Sequence, residues 1–257
     1  MSLFARKTAQ QITDYRRKCE QHLRRTMVSH ELAQKALEEV DAVEFAEQHA
    51  GLFDGGGSVD RLGEVLVKSH FVLLKVEFEL FLHLLALEAW RVALMEHREG
   101  ICDLGKPAAK KLANTAPKLH VLLPFDDVTE AICDAVVPRH GLTSLVEEMS
   151  VVGLDIVRSC NTAAPEVWPQ IRTAFEVRHL IEHRNGRTDE RFRKAVESLW
   201  PRSSWGRRNA ELQGEAQITV TESDLRATCD AMFLMLDSLR PACLEYDERR
   251  RRAESGQ

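Results

Sequence analysis

Paired cysteines, the mark of a disulfide scaffold or a structural zinc site, are absent. The six cysteines, Cys19, Cys102, Cys133, Cys160, Cys229 and Cys243, are scattered and form no C-x-x-C pair. They are read as reduced, mostly buried thiols of a cytoplasmic protein. Positive charge is not in excess either: a net charge of −5 excludes a globally basic nucleic-acid binder and confines any anion-binding surface to a local patch. The N-terminal stretch MSLFARKTAQQITDYRRK is charged from Arg6 onward and has no apolar h-region, so no secretory signal is expected. Nor is there an uninterrupted apolar run. The best candidate, FVLLKVEFELFLHLLALEAW over 71–90, has spanning length but carries Lys75, Glu77, Glu79 and Glu88. Charges at the middle of a span are costly, so a buried core helix is expected and no membrane is among the partners. Aromatic residues are few. Of four tryptophans and two tyrosines, only Trp200 and Trp205 lie in a loop beside basic residues, and they are expected to pack on the core rather than to stack on RNA bases.

What is present is helical pattern. The 257 residues, 44% hydrophobic and 29% charged, suffice for one large domain or two small ones with a substantial core. Residues 4–50 are rich in good helix formers and free of proline, which predicts one or two long amphipathic helices ended by GLFDGGGS at 51–58. Asp60 is placed to cap the next helix, which runs to about His97 and is apolar nearly all round, so other helices must cover it. Between Gly100 and Pro169, six prolines (Pro107, Pro117, Pro124, Pro138, Pro165, Pro169) punctuate short helical pieces, read as an insertion or a variable connection. From Trp168 the pattern firms. Pro169 suits a first helical turn, Ile171, Phe175, Arg178 and Glu182 follow at helical spacing, and Asn185-Gly186 is a stop signal. A short helix from Asp189 to Leu199, an irregular WPRSSWGRRN loop and a final helix over 224–245 complete the chain before the charged tail. Thr221 or Ser223 is the expected cap of that last helix. With no internal repeat and no convincing sheet, the predicted fold class is all-α.

Two motif matches fail on context. GICDLGKP (100–107) has phosphate-loop spacing up to Lys106, but Pro107 stands where a magnesium-binding hydroxyl is needed and no strand precedes it. HLIEH (179–183) fits an inverted zinc-protease pattern, yet Arg178 and Arg184 beside it would repel a dication. No metal and no cofactor is expected. The tail ERRRR reads as a solvated helix end.

The stretch RHLIEH (178–183) carries most of what remains. Its Arg-x4-His spacing alone is weak, because Arg17…His22 and Arg25…His30 share it and Arg91…His97 differs by one residue. Arg178 and His183 stand about 140° apart around a helix axis, so a long arginine and a last-turn histidine can converge only on something beside the helix. His179 and His183 share a face, and Arg178 can pair with Glu182 at i, i+4. Cationic and titratable groups thus gather at a helix end expected at the surface. That set suits transesterification at an RNA phosphodiester: a 2′-hydroxyl attacks phosphorus, a base takes its proton, and an acid protonates the leaving 5′-oxygen. An arginine fork stabilises the charge growing on the phosphoryl oxygens, and histidine suits either proton role. One histidine cannot be base and acid in one turnover. A two-fold dimer bringing two copies of Arg178 and His183 into one cleft would solve this.

The same segment resembles the signature of the HEPN superfamily: an arginine (Arg178), a polar residue (His179), further residues, then a histidine (His183). Asn185-Gly186, Asp189 and Phe192 resemble what often follows in that family, as does GEAQITVTESDL (214–225) before a last helix. VEFELFL (76–82) resembles its FE-x-FL segment, which would make Phe78 and Phe81 core residues and Glu79 a polar member near the site. The resemblance covers 59–98 and 165–245. It implies a HEPN-like helical bundle over 59–245 and does not account for the N-terminal helical arm (1–58), the variable helical insertion (100–164) or the charged tail (246–257) that the sequence pattern sets apart. It further implies a homodimer with motif helices facing each other, acting on RNA as a metal-independent endoribonuclease, a toxin or antiviral-defence effector partnered by an antitoxin or sensor protein. Arg178, His183, His179 and Glu79 are the expected catalytic set, and Arg184, Arg187 and Arg191 the expected RNA-binding strip. The competing expectation is a non-catalytic HEPN-like dimerisation or binding module.

Overall fold

The computed structural model describes residues 3–39, 59–98, 100, 103–115, 125–208 and 215–254. The chain is all-α. Its helices are α1 (Leu3–Glu38), α2 (Val59–Arg98), α3 (Lys106–Thr115), α4 (Phe125–Val136), α5 (Leu142–Val151), α6 (Ile156–Ala163), α7 (Val167–Arg184), α8 (Glu190–Val196), α9 (Ser204–Arg208) and α10 (Glu222–Glu254), with a 3-10 turn at Trp200–Arg202. Among the described residues the only β-type pairing is an isolated bridge between Arg187 and Gln217. None of their helices is long and apolar enough to cross a membrane. The stop expected at 51–58 lies outside the described residues.

The chain divides into two compact units built from interleaved stretches: 1–19, 78–168 and 233–257 in the first, 20–77 and 169–232 in the second. The long helices α1, α2 and α10 each contribute to both. Of the six prolines of the middle region, Pro107, Pro138, Pro165 and Pro169 fall between helices α3 to α7 or in their first turns; Pro117 and Pro124 lie outside the described residues.

In the first unit the core comes from Phe78, Leu82, Leu85 and Trp90 of α2, Leu145 and Met149 of α5, Ile156 of α6, and Leu236 and Leu239 of α10, all buried. Phe78 and Phe81 lie 6.3 Å apart between ring centroids. Arg16 of α1 pairs with Asp237 of α10 at 2.7 Å. Burial pushes the Cys133 thiol up to about 12, with Asp134 adding to the shift, and raises that of Cys160. With Cys19 and Cys229 they make four buried free thiols among the described residues.

In the second unit Leu23 of α1, Phe71 and Leu74 of α2, Ile171, Ala174, Val177 and Leu180 of α7, Trp205 of α9, and Leu225 and Met232 of α10 are buried together. Trp205 meets the Phe71 ring edge-on at 5.7 Å, and Trp200 meets Phe192 edge-on at 6.0 Å. The loop expected over WPRSSWGRRN is therefore a 3-10 turn and a short helix. Two tryptophan side chains seeking burial fold it, and Gly206 lets it close: a Cβ there would sit 1.7 Å from the Trp200 carbonyl oxygen.

A buried polar network fastens this turn to α7 and α10. Gln170 Nε2 donates to Ser204 Oγ and Thr228 Oγ1, each at 3.1 Å, and its Oε1 accepts from the Ser204 amide at 2.7 Å. Ser204 Oγ donates to Asp224 Oδ1 at 2.7 Å, and Asp224 Oδ2 also receives Arg208 and the Thr221 amide. Asp224 has no exposed surface, so these donors offset the cost of burying its charge. Thr221 and Asp224 cap α10 reciprocally, which settles the cap at Thr221 rather than Ser223. At the start of α2 the helix begins at Val59, so Asp60 lies inside its first turn. Its cover is incomplete as well: Val65, Leu73, Val76 and Leu80 remain exposed.

Candidate functional site

Helix α7 is held along one side by Ile171, Ala174, Val177 and Leu180, all buried. That face fixes the rotation of its last two turns. Arg178 and His179 are left half-buried, His183 and Arg184 are exposed, and the Glu182 carboxylate lies against Arg178. The helix stops as the Asn-Gly pair dictates. Asn185 and Gly186 have φ values of 53° and 77°, the left-handed region that glycine enters freely and asparagine tolerates.

The turn is pinned from outside. The Gly186 amide donates back to the Leu180 carbonyl at 3.0 Å, Ile218 donates to the Gly186 carbonyl at 2.8 Å, and Thr188 donates to the Ala216 carbonyl at 2.9 Å. Gln217 Nε2 donates to the Asn185 carbonyl at 2.7 Å. The segment 216–218 lies so close that a Cβ on Gly186 would stand 2.7 Å from Gln217 Nε2 and 3.0 Å from the Ile218 carbonyl oxygen. Asp189 then caps α8, its Oδ1 accepting from the Phe192 amide at 2.7 Å. The two stretches singled out around 185–192 and 214–225 thus meet each other, and together they hold the end of α7.

Three expected site residues converge here. Arg178 Nη2 forms an ion pair with Glu182 Oε2. The same carboxylate oxygen lies 3.9 Å from His183 Nε2, and the His179 and His183 rings are 4.7 Å apart at an interplanar angle of 56°. The 140° separation expected from helix geometry is thus bridged by one oxygen atom. His183 is well exposed, its side chain at 59%, so a substrate can reach it. Arg178 is only partly satisfied: its Nε is buried and has no hydrogen-bond partner among the described residues.

The cationic strip flanks this cluster. Arg184, Arg187 and Arg191 are exposed, and Arg184 Nε stands 3.8 Å from Asp189 Oδ2. Glu79 is placed in the first unit, where its buried carboxylate accepts the Gly141 amide at 2.7 Å, one residue before α5 begins. That bond gives its burial a structural reason.

The chemistry open to the cluster follows from its atoms. An oxygen anion between Arg178 and His183 can touch both a cationic fork and an imidazole nitrogen, which is the arrangement phosphoryl transfer needs. The carboxylate now seated there is held by one ion pair between side chains 23% and 25% exposed, and an i, i+4 pair on a helix surface contributes about 0.3–0.5 kcal/mol. Among the described residues no group of three or more His, Cys, Asp or Glu side chains is arranged to hold a metal ion; HLIEH supplies its two histidines and no third ligand.

Two features escaped sequence reasoning. Glu182 was legible as a partner of Arg178 but not as the atom shared with His183, which depends on rotamers. The second is a histidine pair in the second unit. His30 of α1 is fully buried, both its ring nitrogens lack partners among the described residues, and it packs edge-on against His70 of α2 at 5.2 Å. His70 Nδ1 is 2.9 Å from the Leu66 carbonyl oxygen and so donates to it. Burial, then His70, then Arg226 push the His30 pKa below its ordinary value, against Glu222 and Glu31. No periodicity distinguishes such a histidine from a surface one. Trp200 and Trp205, considered for base stacking, are buried and offer no face to a base.

Comparison with protein-family models, curated proteins and solved structures finds no match.

Proposed function

We propose that this chain is a metal-independent endoribonuclease of the HEPN type that acts as a homodimer. The observation that carries the proposal is the cluster at the end of α7, where Arg178 and His183 both approach Glu182 Oε2 and His179 packs on His183. Arg178 binds the phosphoryl oxygens of the scissile phosphodiester. His183 of one protomer takes the proton of the 2′-hydroxyl as its oxygen attacks phosphorus. The P–O5′ bond breaks, and His183 of the partner subunit gives a proton to the departing 5′-oxygen. The products are a 2′,3′-cyclic phosphate and a 5′-hydroxyl. His179 holds the His183 ring in place, and the exposed Arg184, Arg187 and Arg191 track the RNA backbone. The biological setting that fits such an activity is a toxin or antiviral-defence effector, restrained by an antitoxin or sensor protein in the cytoplasm.

The test is cleavage of cellular RNA by the purified protein in EDTA. Wild type cleaves; His183→Ala and Arg178→Ala each lose about 10²-fold or more. Cleavage unchanged in both variants would place the activity elsewhere or in a contaminant. A second reading, a non-catalytic HEPN-like dimerisation module, is favoured by the Arg178–Glu182 pair, which gives the arginine a partner within its own helix. A folded wild-type dimer inert on all cellular RNA would support it.

A further inference from the structure

We infer that Glu182 is a built-in competitor for the phosphate, sitting where a phosphodiester oxygen must sit and leaving when RNA enters. The inference rests on the ribonuclease reading of the site and adds a regulating residue to it. The geometry is specific. Glu182 Oε2 is in contact with Arg178 Nη2 and lies 3.9 Å from His183 Nε2, so one carboxylate oxygen occupies the position between the cationic fork and the imidazole.

The occupancy is incomplete in a way that favours exchange. Arg178 presents Nε and Nη2 along one edge of its guanidinium, an edge that takes two oxygens of a carboxylate or phosphate side by side. Among the described residues Nη2 meets Glu182 Oε2, while Nε is buried with no partner. Glu182 is itself partly exposed, at 25% of its side chain, and can swing to solvent without disturbing the core. A phosphodiester brings two non-bridging oxygens and can use both nitrogens once Arg178 is released. Glu182 therefore neutralises Arg178 in the resting protein, disfavours stray anions and sets a threshold that a multiply charged RNA, held also by Arg184, Arg187 and Arg191, can exceed. A free carboxylate left beside the bound phosphate would repel it, so the competitor must move away rather than stay as a spectator.

Replacing Glu182 by glutamine removes the charge and keeps the shape. The probe is a labelled single-stranded 2′-O-methyl RNA oligonucleotide, which lacks the attacking hydroxyl and so reports binding without cleavage. Glu182→Gln is expected to bind it roughly two- to fivefold more tightly than wild type at low salt, the scale of one partly exposed charge pair. The gain should vanish when Arg178→Ala is added. Glu176→Gln makes the same change in net charge two residues before Arg178 on the same helix, and its affinity should stay within about twofold of wild type. Equal or weaker binding by Glu182→Gln, or an equal gain from Glu176→Gln, would overturn the inference. Cleavage of ordinary RNA in parallel reports on the underlying reading. A binding gain with no cleavage by either protein sinks the ribonuclease and leaves Glu182 as the gate of an anion site. Cleavage by wild type with slower turnover and unchanged binding in Glu182→Gln would make Glu182 a positioning residue for Arg178 instead.

Discussion

At the scale of single residues, the same chemical groups behave differently according to what surrounds them. His183 is exposed beside a carboxylate, which suits proton exchange with a substrate. His30 is buried with both nitrogens unmatched, which suits only the neutral ring. Its lowered pKa makes it a stability element with a definite sign. The unfolded chain binds a proton near the ordinary value of 6.5 while the folded chain does not, so stability is full above that value and falls as the pH drops through it toward the folded pKa. The slope from one such group is at most about 1.4 kcal/mol per pH unit. Urea midpoints measured from pH 7.5 down to pH 5 should fall for wild type. Replacing His30 with leucine should remove that part of the slope; an unchanged profile would mean that His30 does not titrate differently in the two states. The arginine and histidines of RHLIEH were legible because residue type and helical spacing define them. The His30–His70 contact was not, because it joins residues forty positions apart in sequence through packing alone.

At the scale of elements, termini carried the clearest signals. Asn185-Gly186 marks the end of α7, Asp189 caps α8 and Thr221 caps α10, each by a side-chain or backbone preference written locally. The partner of the α7 end was not written there. Segment 216–218 pairs with 186–188 across thirty residues, and only the fold reveals that Gly186 is needed for close approach as well as for its φ. Gly186→Ala should therefore cost about 1–2 kcal/mol from the left-handed backbone alone, with more from the contact with Gln217 and Ile218. Denaturant unfolding measures it, and a neutral substitution would mean that the turn relaxes. Asp224 makes a parallel case. It accepts from Ser204, Thr221 and Arg208 while fully buried, so Asp224→Ala strands several donors and should cost about 2 kcal/mol or more. Asp224→Asn, which keeps an acceptor at each bond but one, should cost less.

At the scale of the whole molecule, the all-α class followed from helical periodicity and from the lack of alternating strands, while the division of the chain did not follow from composition. Breaks in proline and glycine content suggest consecutive pieces, whereas the compact units interleave because α1, α2 and α10 are each long enough to serve two cores. A sequence records where a helix ends more plainly than which cores it enters. The proposed activity likewise depends on more than one chain: with His179 only positioning His183, the scheme draws acid and base from two copies of His183, so the active species should be a dimer by light scattering and its specific activity should fall on dilution below the dimer dissociation constant. The most direct test of the central claim is the chemistry of the RNA ends left by the wild-type protein in EDTA. The account predicts 2′,3′-cyclic phosphate and 5′-hydroxyl ends, absent with His183→Ala; 3′-hydroxyl and 5′-phosphate ends, or identical products from His183→Ala, would contradict it.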